Sequence, residues 1–225
     1  MHIIRTSNDI YCFKDDFIEF YFTTNKYKII KNSKNYIPVI KSLIPDYKYI
    51  IITKQIHSSI TNRIRGQGFY IGDAIFTNEK NIIPAIFTAD CFPVFLYSKN
   101  VPFIVLLHAG WKGILKDILP ITIKSIKNNY NNINEINAVI GPGICKDCYQ
   151  VGIEMLNKFS NKYLNTKDSK LYLDLKSVLI HQMKNNSISK ITDSGFCTVH
   201  NNESFFSYRK ENRTANRILS FGIIR

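Results

Sequence analysis

Three short apolar runs follow one another in PAIFTADCFPVFLYSKNVPFIVLLHAGWKG, residues 84–113. Their β-branched and aromatic content is typical of strands buried on both faces rather than half-exposed strands. We therefore predict strands over 84–89, 93–97 and 102–107. Because the three strands are neighbours along the chain, they favour a mixed sheet.

The flanking sequence adds further strand-like runs and several helical segments. Strands are predicted over 17–22, 48–53, 73–77 and 136–140. Helices are predicted over 113–130, 151–160 and 174–185. Pro120 is expected to kink or restart the first helix, because proline lacks the amide donor and crowds the preceding turn. Together these elements predict an α+β (mixed α-β) fold, a layered sandwich of mixed β-sheet with flanking helices.

Composition sets the broad class of the protein. The 225 residues are 45% hydrophobic, which is enough for one substantial core, and no Pro/Gly/Ser-rich linker divides them. We expect a single domain over 1–225. No cationic patch leads into an apolar stretch at the N-terminus, and no run approaches the roughly 18 apolar residues of a membrane span. Five widely spaced cysteines fit a reducing compartment, so a cytoplasmic protein with no membrane partner is expected.

The formal net charge of +13 raises the question of nucleic-acid binding. Clustered Lys and Arg residues are the footprint of contacts with a phosphate backbone. In this chain the lysines are scattered through segments rich in Asn and Ile, as over 124–137. We expect no nucleic-acid partner, although a general positive field favours phosphate and other small anions.

One thiol and two imidazoles follow the ends of three predicted strands. His57 lies after the 48–53 strand, Cys91 after the 84–89 strand and His108 after the 102–107 strand. Two nitrogens and one thiolate suit zinc, and three protein ligands leave a fourth tetrahedral position for water or substrate. If the strand ends converge, these residues predict an open, chemical metal site.

Each donor also has a purely structural interpretation. Cys91, between two apolar runs, fits a buried structural thiol. His108 fits a hydrogen-bonded histidine at a strand end, and His57 fits an exposed loop residue. Only the combination of the three indicates a metal site.

Longer motifs surround these residues and occur in a fixed order. They are Gly72-Asp73-Ala74, Thr88-Ala89-Asp90-Cys91-Phe92-Pro93-Val94, His108-Ala109-Gly110-Trp111-Lys112-Gly113, Gly141-Pro142-Gly143-Ile144 with Cys148-Tyr149-Gln150-Val151-Gly152, and Phe205-Phe206-Ser207-Tyr208-Arg209. Together they resemble the laccase-domain family, also called the YfiH-type purine nucleoside phosphorylases. The resemblance runs from about Lys48 to the C-terminus.

This resemblance implies a small single-domain α-β protein with a metal bound by one Cys and two His. Carried over by motif, the ligands are His57, Cys91 and His108, and the metal is usually zinc and sometimes copper. The family is linked to phosphorolysis of adenosine, inosine, guanosine and methylthioadenosine, and to hydrolytic deamination of adenosine. The implied partners are purine nucleosides and phosphate, and we expect a monomer or small homo-oligomer.

The chain departs from the family pattern near both ends. Thr23-Thr24-Asn25-Lys26 stands where a Thr-Thr-Arg stretch followed by paired glycines is usual, and the N-terminal region 1–45 is abbreviated. Near the C-terminus, the segment 213–217 stands where Thr-Gly-Arg is common. No role is assigned to these residues.

Two carboxylates adjoin the metal-ligand candidates. Asp90 precedes Cys91, and Asp73 lies in Gly72-Asp73-Ala74. Either carboxylate can orient a ligand imidazole or handle a proton at the departing base, and both also fit turn or cap positions. We place Asp73 and Asp90, together with Arg209 and Cys91, among the candidate catalytic residues.

Phosphate and purine recognition call for cations and aromatic faces. Lys112 lies near a predicted helix start, where free backbone amides favour anions, and Arg209 closes the aromatic run 205–208. Lys112, Trp111 and Tyr208 are the candidate substrate-binding residues. Arg209 equally fits a stacked surface guanidinium, and aromatic residues of this kind are more often part of a core.

Other functions remain for the same donors. A copper-dependent polyphenol oxidase needs further histidines to reduce oxygen, and the chain has five in all, in unrelated contexts. A cysteine hydrolase would use Cys91 as nucleophile and His108 as base. A peptidoglycan-editing factor would hold the metal structurally. The resemblance favours an enzyme, a zinc-dependent purine nucleoside phosphorylase with adenosine deaminase activity.

Cys145 and Cys148 have the spacing of half a zinc knuckle or of a redox motif. A knuckle needs a second ligand pair, and we expect none in this chain. The segment is instead predicted to form a turn after the 136–140 strand, where Gly141 and Gly143 allow a tight backbone.

Overall fold

The structure is a computed structural model that describes residues 3–31 and 33–225. Within these residues the strands are β1 Ile3–Arg5, β2 Ile10–Asp15, β3 Ile18–Thr23, β4 Ile29–Ile30, β5 Tyr49–Ile52, β6 Thr61–Arg63, β7 Ala74–Thr77, β8 Ile82–Thr88, β9 Phe92–Ser98, β10 Phe103–Ala109, β11 Asn137–Ile140, β12 Gln150–Val151, β13 Leu164–Lys167, β14 Lys170–Leu173, β15 Lys190–Asp193 and β16 Asn216–Ile224. The helices are α1 Tyr36–Leu43, α2 Trp111–Leu115, α3 Ile118–Asn129 and α4 Leu175–Asn185.

Two large mixed sheets organise the strands. The first has the order β1-β2-β3-β16-β8-β5, with β4 also paired to β16, and the second has the order β15-β11-β9-β10-β7-β6. Most neighbours are antiparallel, but β5 pairs with β8, β6 with β7 and β11 with β15 in parallel. A small third sheet has the order β12-β14-β13.

Alternating side chains divide the core into layers. Phe95 and Tyr97 on β9 face the first sheet, where the Phe95 ring stacks on Phe20 with centroids 4.6 Å apart. Val94 and Leu96 on the same strand face the opposite way, because successive side chains of a strand point to opposite sides. That second face packs against apolar residues of α2, α3 and α4.

Helix α1 covers the outer face of the first sheet through residues such as Ile40. The order of layers is therefore α1, first sheet, second sheet, and then α2 to α4. This arrangement confirms the predicted α+β sandwich of mixed β-sheet with flanking helices.

The predicted strands are confirmed to within about two residues at each end, because each carries enough buried apolar side chains to identify it. The predicted helix over 113–130 is two helices. The chain breaks at Asp117, whose backbone is left-handed with φ of 57°. Pro120 lies in the first turn of α3, where a backbone amide has no helical acceptor. The predicted restart is confirmed, and it begins before the proline.

The predicted helix over 151–160 is wrong. Val151 instead pairs with Leu171 in the third sheet, and only a short 3₁₀ turn follows at Ile153–Met155. Met155 and Phe159 reach the core while Ile153 is 78% exposed, so the segment has no continuous apolar helical face. The predicted helix over 174–185 is confirmed, and Asp174 caps it by accepting a hydrogen bond from the Ser177 amide at 2.9 Å.

Within residues 3–31 and 33–225, no helix combines the length and the apolar character needed to cross a membrane.

Candidate metal centre and its pocket

The hairpin of β9 and β10 brings a thiol and an imidazole together. His108 pairs with Pro93 in this antiparallel ladder, and Cys91 lies two residues before Pro93. Cys91 belongs to the short connection by which the chain leaves β8 in the first sheet and enters β9 in the second. The site therefore lies where the two sheets meet at one end of the sandwich.

His57 comes from the loop that follows β5. Gln55, in the same loop, exchanges two hydrogen bonds with the backbone of Phe87, donating to its carbonyl at 2.8 Å and accepting from its amide at 2.9 Å. This pairing extends the contact of β5 with β8 beyond the end of the strand. It holds the loop close to the strand that leads to Cys91.

The three donors form one cluster. One ligand atom from each of His57, Cys91 and His108 lies within 4.8 Å of the other two. The two imidazole rings meet edge to face, with centroids 4.8 Å apart. His57 is exposed, Cys91 is half-buried and His108 is buried, so the cluster has an inner and an outer side.

Asp73 supports the cluster from its buried side. Its carboxylate is fully buried and contacts His108 Nδ1 at 2.8 Å. It also accepts hydrogen bonds from the backbone amides of Ile56, His57 and Ser58 at 2.6 to 3.1 Å. One carboxylate thus fixes both the ring of His108 and the loop that carries His57. Nδ1 is engaged with Asp73, which leaves Nε2 for the thiol side.

The charges of these groups are coupled. Burial acts to raise the pKa of the Cys91 thiol, but the His108 and His57 imidazoles lower it to about 6. Burial acts to lower the pKa of His108, but Cys91 and Asp73 raise it to about 9. Burial likewise opposes ionisation of Asp73, yet hydrogen bonds from His108 and Ser58 hold its pKa well below its usual range. Both shifts favour a thiolate at Cys91 and an imidazolium at His108, backed by the Asp73 carboxylate.

The backbone at the cluster is unusual at His57 and Asp90, and Gly110 leaves space for the Cys91 thiol. Both His57 and Asp90 have left-handed backbones, with φ of 57° and 81°, which is uncommon for residues other than glycine. Gly110 lies directly beside the cluster, and a Cβ at that position would be 2.8 Å from Cys91 Sγ. A side chain at residue 110 would displace the thiol.

The donor set fits a zinc ion. One thiolate and two imidazoles are typical zinc ligands, and an imidazole held by a carboxylate is the usual outer support of such a site. All three donors also line a pocket of about 500 Å³. A three-ligand site with an adjoining pocket has the composition of a catalytic zinc site rather than a closed structural one.

The pocket is large enough for a small organic ligand. Its walls include five predicted site residues besides the donors: Asp90, Trp111, Lys112, Tyr208 and Arg209. Residues that the sequence analysis did not assign also line it: Lys31, Gln55, Phe87, Ala89, Ile144, Tyr149 and Arg217.

Asp90 fastens two segments at the pocket wall, one at Thr198 and the other over residues 207–209. One carboxylate oxygen accepts hydrogen bonds from the hydroxyls of Thr198 at 2.6 Å and Ser207 at 2.8 Å. The other accepts from the backbone amide of Arg209 at 2.7 Å. The side chain therefore sets the position of the C-terminal loop that carries Tyr208 and Arg209.

Four cationic side chains line the pocket: Lys31, Lys112, Arg209 and Arg217. Arg209 donates to the Gln150 carbonyl at 2.8 Å and lies over the Tyr149 ring, and Arg217 lies over the Tyr208 ring. Burial lowers the pKa of Lys31, with a further contribution from nearby Arg217. Burial also lowers the pKa of Arg217. Partly buried like charges at one wall favour an anion there.

Trp111 and Lys112 begin α2 at the edge of the pocket. The Trp111 ring is covered by the ammonium groups of Lys112 at 5.5 Å and Lys158 at 4.8 Å from its centroid. Tyr208 is 45% exposed. The Tyr208 ring is thus accessible to a flat ligand, whereas the Trp111 ring lines the pocket and also packs partly against the core.

The expectation that Cys145 and Cys148 have no second ligand pair is wrong. Cys197 and His200 lie beside them, and one donor atom from each of the four lies within 4.8 Å of the others. The sequence carried a usable signal, since Cys197-Thr198-Val199-His200 has knuckle spacing itself. Two segments far apart in sequence had to be paired to recognise it. Of the remaining histidines, His181 is exposed on α4, and His2 lies outside the described residues.

Comparisons with known proteins place this site in a wider context. A family model described as multi-copper polyphenol oxidoreductase laccase matches residues 25–225. A purine nucleoside phosphorylase of Clostridium acetobutylicum is 33% identical over 224 residues, which cover 93% of this chain and 93% of that protein. Hypothetical protein YfiH of Bacillus licheniformis has a similar solved structure, with a TM-score of 0.87, 22% identity, and 99% of each chain covered. YlmD of Geobacillus stearothermophilus also gives a TM-score of 0.87, at 19% identity, covering 99% of this chain and 98% of that one.

Proposed function

This chain belongs to the multi-copper polyphenol oxidoreductase laccase family, and we propose that it is a purine nucleoside phosphorylase with a metal centre at His57, Cys91 and His108. The name of the Clostridium acetobutylicum relative supports the reaction class. The observation that carries the proposal is that the three-donor cluster opens into a pocket of about 500 Å³ lined by cations and accessible aromatic rings.

The metal we propose is zinc, with copper as the alternative that the donor set also accepts. His57, Cys91 and His108 would hold the zinc ion, which would supply a Lewis acid beside the pocket. Asp73 is proposed to orient His108 through Nδ1 and to keep the His57 loop in place. This role makes Asp73 a positioning residue for the centre.

Phosphate is proposed to bind among Arg209, Lys112, Lys31 and Arg217, all of which line the pocket. The purine is proposed to stack on Trp111 or Tyr208. In phosphorolysis a phosphate oxygen forms a bond to the anomeric carbon as the bond from that carbon to the base nitrogen breaks. The base leaves with the electron pair and takes up a proton. Cations around the phosphate hold it in line with the breaking bond.

Asp90 is proposed to act through the loop that it holds. Its oxygens accept from Thr198, Ser207 and the Arg209 amide, so the carboxylate positions Arg209 against the substrate phosphate. An Asp90→Asn protein that keeps its full metal content should therefore turn over slowly.

Adenosine, inosine, guanosine and methylthioadenosine are the proposed substrates, and hydrolytic deamination of adenosine is the proposed second reaction. An open position on a three-ligand zinc centre supports deamination as well as phosphorolysis. A reducing, cytoplasmic setting is proposed as well, supported by the free thiols of Cys12, Cys91, Cys145, Cys148 and Cys197.

A cysteine hydrolase is the second candidate function. The paired charge states of Cys91 and His108, with pKa values of about 6 and about 9, support it because a thiolate beside an imidazolium is an activated nucleophile. Such an enzyme would work without metal.

The proposal is tested by incubating metal-replete protein with adenosine, with and without phosphate, and resolving the products by mass. Phosphate-dependent formation of adenine and ribose 1-phosphate is the expected result, with inosine as the product of deamination. Cys91→Ser and His57→Asn should abolish both products, and His181→Asn, at an exposed histidine on α4, should leave them unchanged. Absence of both products from the metal-replete protein would refute the proposal, and products that persist after chelation would contradict the proposed metal requirement.

A further inference from the structure

Two loops meet beside the pocket and each carries a pair of metal-ligand residues. Cys145 and Cys148 follow β11, and Cys197 and His200 follow β15. The backbones are paired through a parallel bridge between Gly143 and Cys197. The Thr198 amide donates to the Gly143 carbonyl at 3.1 Å. The contact between the loops is therefore built into the fold and does not depend on the side chains alone.

The side chains converge on one point. Cys145 Sγ lies 3.6 Å from His200 Nδ1, and Cys148 Sγ lies 3.3 Å from His200 Nε2. All four donors lie within 4.8 Å of one another. A tetrahedral ion with sulfur ligands at about 2.3 Å places its ligand atoms roughly 3.7 Å apart. The longest distance between two donor atoms therefore has to shorten by about 1 Å to reach that geometry. The exposed ring of His200 can turn to allow this.

The backbone around the sulfurs is that of a knuckle. The amides of Cys148 and Tyr149 both donate to the Cys145 carbonyl, at 3.1 and 3.0 Å, which turns the chain so that the two thiols lie on one side. The Cys145 amide lies 3.4 Å from Cys197 Sγ. Amides pointing at sulfur support a thiolate ligand.

We propose that Cys145, Cys148, Cys197 and His200 bind a second zinc ion in a closed, structural site. Three thiolates and one imidazole fill a tetrahedral shell and leave no position for substrate. The Cys145–Cys148 pair and the Cys197–His200 pair come from separate loops, so the ion would cross-link the two loops. This inference is independent of the reaction proposed for the pocket.

The cross-link lies against the pocket wall. Thr198, between Cys197 and His200, donates to Asp90, and the amide of Ile144, next to Cys145, donates to the Asp90 carbonyl at 2.8 Å. Tyr149, next to Cys148, lines the pocket beneath Arg209. Zinc at the second site thus fixes the wall that holds Asp90 and Tyr149 while taking no part in the chemistry.

The test is the zinc content of the full chain, purified without chelator and measured by plasma mass spectrometry. Wild-type protein should hold two zinc ions per chain. His200→Asn and Cys148→Ser should each hold one, and His181→Asn, the matched control at another exposed histidine, should hold two. Cys91→Ser leaves the second cluster untouched and should hold one ion. Two zinc ions per chain in both His200→Asn and Cys148→Ser would overturn the proposal. A Cys91→Ser protein that holds no zinc ion would also overturn it.

The identity of the ligands is tested with cobalt(II) loaded into Cys91→Ser. Three thiolate ligands should give intense sulfur-to-cobalt charge-transfer absorption and tetrahedral ligand-field bands. A spectrum without the thiolate bands would overturn the assignment, as would a Cys145–Cys148 disulfide found by mass mapping of freshly purified protein. Chelation of Cys91→Ser should lower its unfolding temperature, and no shift would contradict a structural role. If wild-type protein binds two zinc ions but forms no nucleoside products, only the proposed function fails.

Discussion

The molecule contains two clusters of thiols and imidazoles that differ in number, support and surroundings. The first has three donors, at the ends of buried strands and in a strand-following loop, with Asp73 behind them and a pocket in front. The second has four donors on two half-exposed loops that pair by their backbones. Three donors leave a coordination position for substrate, whereas four complete the shell. From the same two residue types we therefore propose chemistry at the first cluster and cross-linking at the second.

The groups that surround each cluster support the same distinction between the two clusters. A carboxylate on His108 fixes the orientation of the ring, while backbone amides around Cys197 fix a sulfur. The first cluster lies where the two sheets meet, and the second lies on the loops that follow the paired strands β11 and β15. Loss of the first should remove activity, and loss of the second should loosen the pocket wall.

The largest effect that separates the clusters is expected from Asp73→Asn. The change removes the charge behind His108 and leaves the amides of His57 and Ser58 facing a group that accepts fewer hydrogen bonds. Zinc affinity of the first cluster should fall about 10- to 100-fold. The second cluster should be unaffected, so the protein should go from two tightly bound ions to one in a chelator competition.

Asp90→Asn is the matched control, because it alters a pocket carboxylate that holds loops rather than a metal ligand. It should keep both ions while turnover falls. Unchanged zinc affinity in Asp73→Asn would mean that the carboxylate is only a loop cap.

A smaller, pH-dependent contrast is expected in the chelated protein. The pKa of Cys91 is lowered to about 6, whereas burial raises that of Cys148 to about 12, with neighbouring Cys145 acting in the same direction. Only the thiolate reacts, so alkylation of Cys91 should increase as the pH rises through about 6 and fall as the pH drops below it. At neutral pH, iodoacetamide should modify Cys91 at least about tenfold faster than Cys148.

Peptide mapping by mass spectrometry measures both rates in one sample. Added zinc should protect both thiols. A midpoint for Cys91 near the ordinary thiol value of about 8.5 would show that His108 and His57 do not stabilise its thiolate.

The smallest effect is expected at the cationic wall of the first pocket. Arg209→Ala and Arg217→Ala should each raise the KM for phosphate about threefold to tenfold, because each removes one partly exposed charge from the anion. The kcat should change less. Zinc content at both clusters should stay at the wild-type value.

Arg213→Ala is the control, since Arg213 is exposed and of the same residue type but does not line the pocket. An equal rise in KM for all three variants would indicate a general loss of positive field rather than a defined phosphate site. Steady-state kinetics at varied phosphate distinguishes the two outcomes.

Local sequence was most informative where a single strand or hairpin decides the outcome. The runs that form β8, β9 and β10 are apolar except near their ends, so burial on both faces could be predicted from them. The closeness of Cys91 and His108 follows from one antiparallel hairpin. The prediction of a helix over 151–160 failed because Val151 pairs with Leu171 and the residues that follow present no continuous apolar face.

Contacts between distant segments were harder to predict. Strand β16 lies in the middle of the first sheet, between β3 and β8, and its pairing depends on residues almost the whole chain apart. The second cluster joins Cys148 to His200 across 52 positions. Lys31 and Arg217 also reach the pocket from opposite ends of the sequence.

The sequence by itself predicted the sandwich class, the strands that carry the first cluster, and the three side chains that the structure brings together there. Hydrophobic pattern and ligand chemistry are local properties, and they can be recognised without knowing the packing. Only the tertiary structure decided that Asp73 supports His108, that Asp90 holds the Arg209 loop, and that Cys145 and Cys148 have partners. These outcomes depend on how two twisted sheets and their loops meet, because the distance between remote side chains is set by packing and not by spacing along the chain.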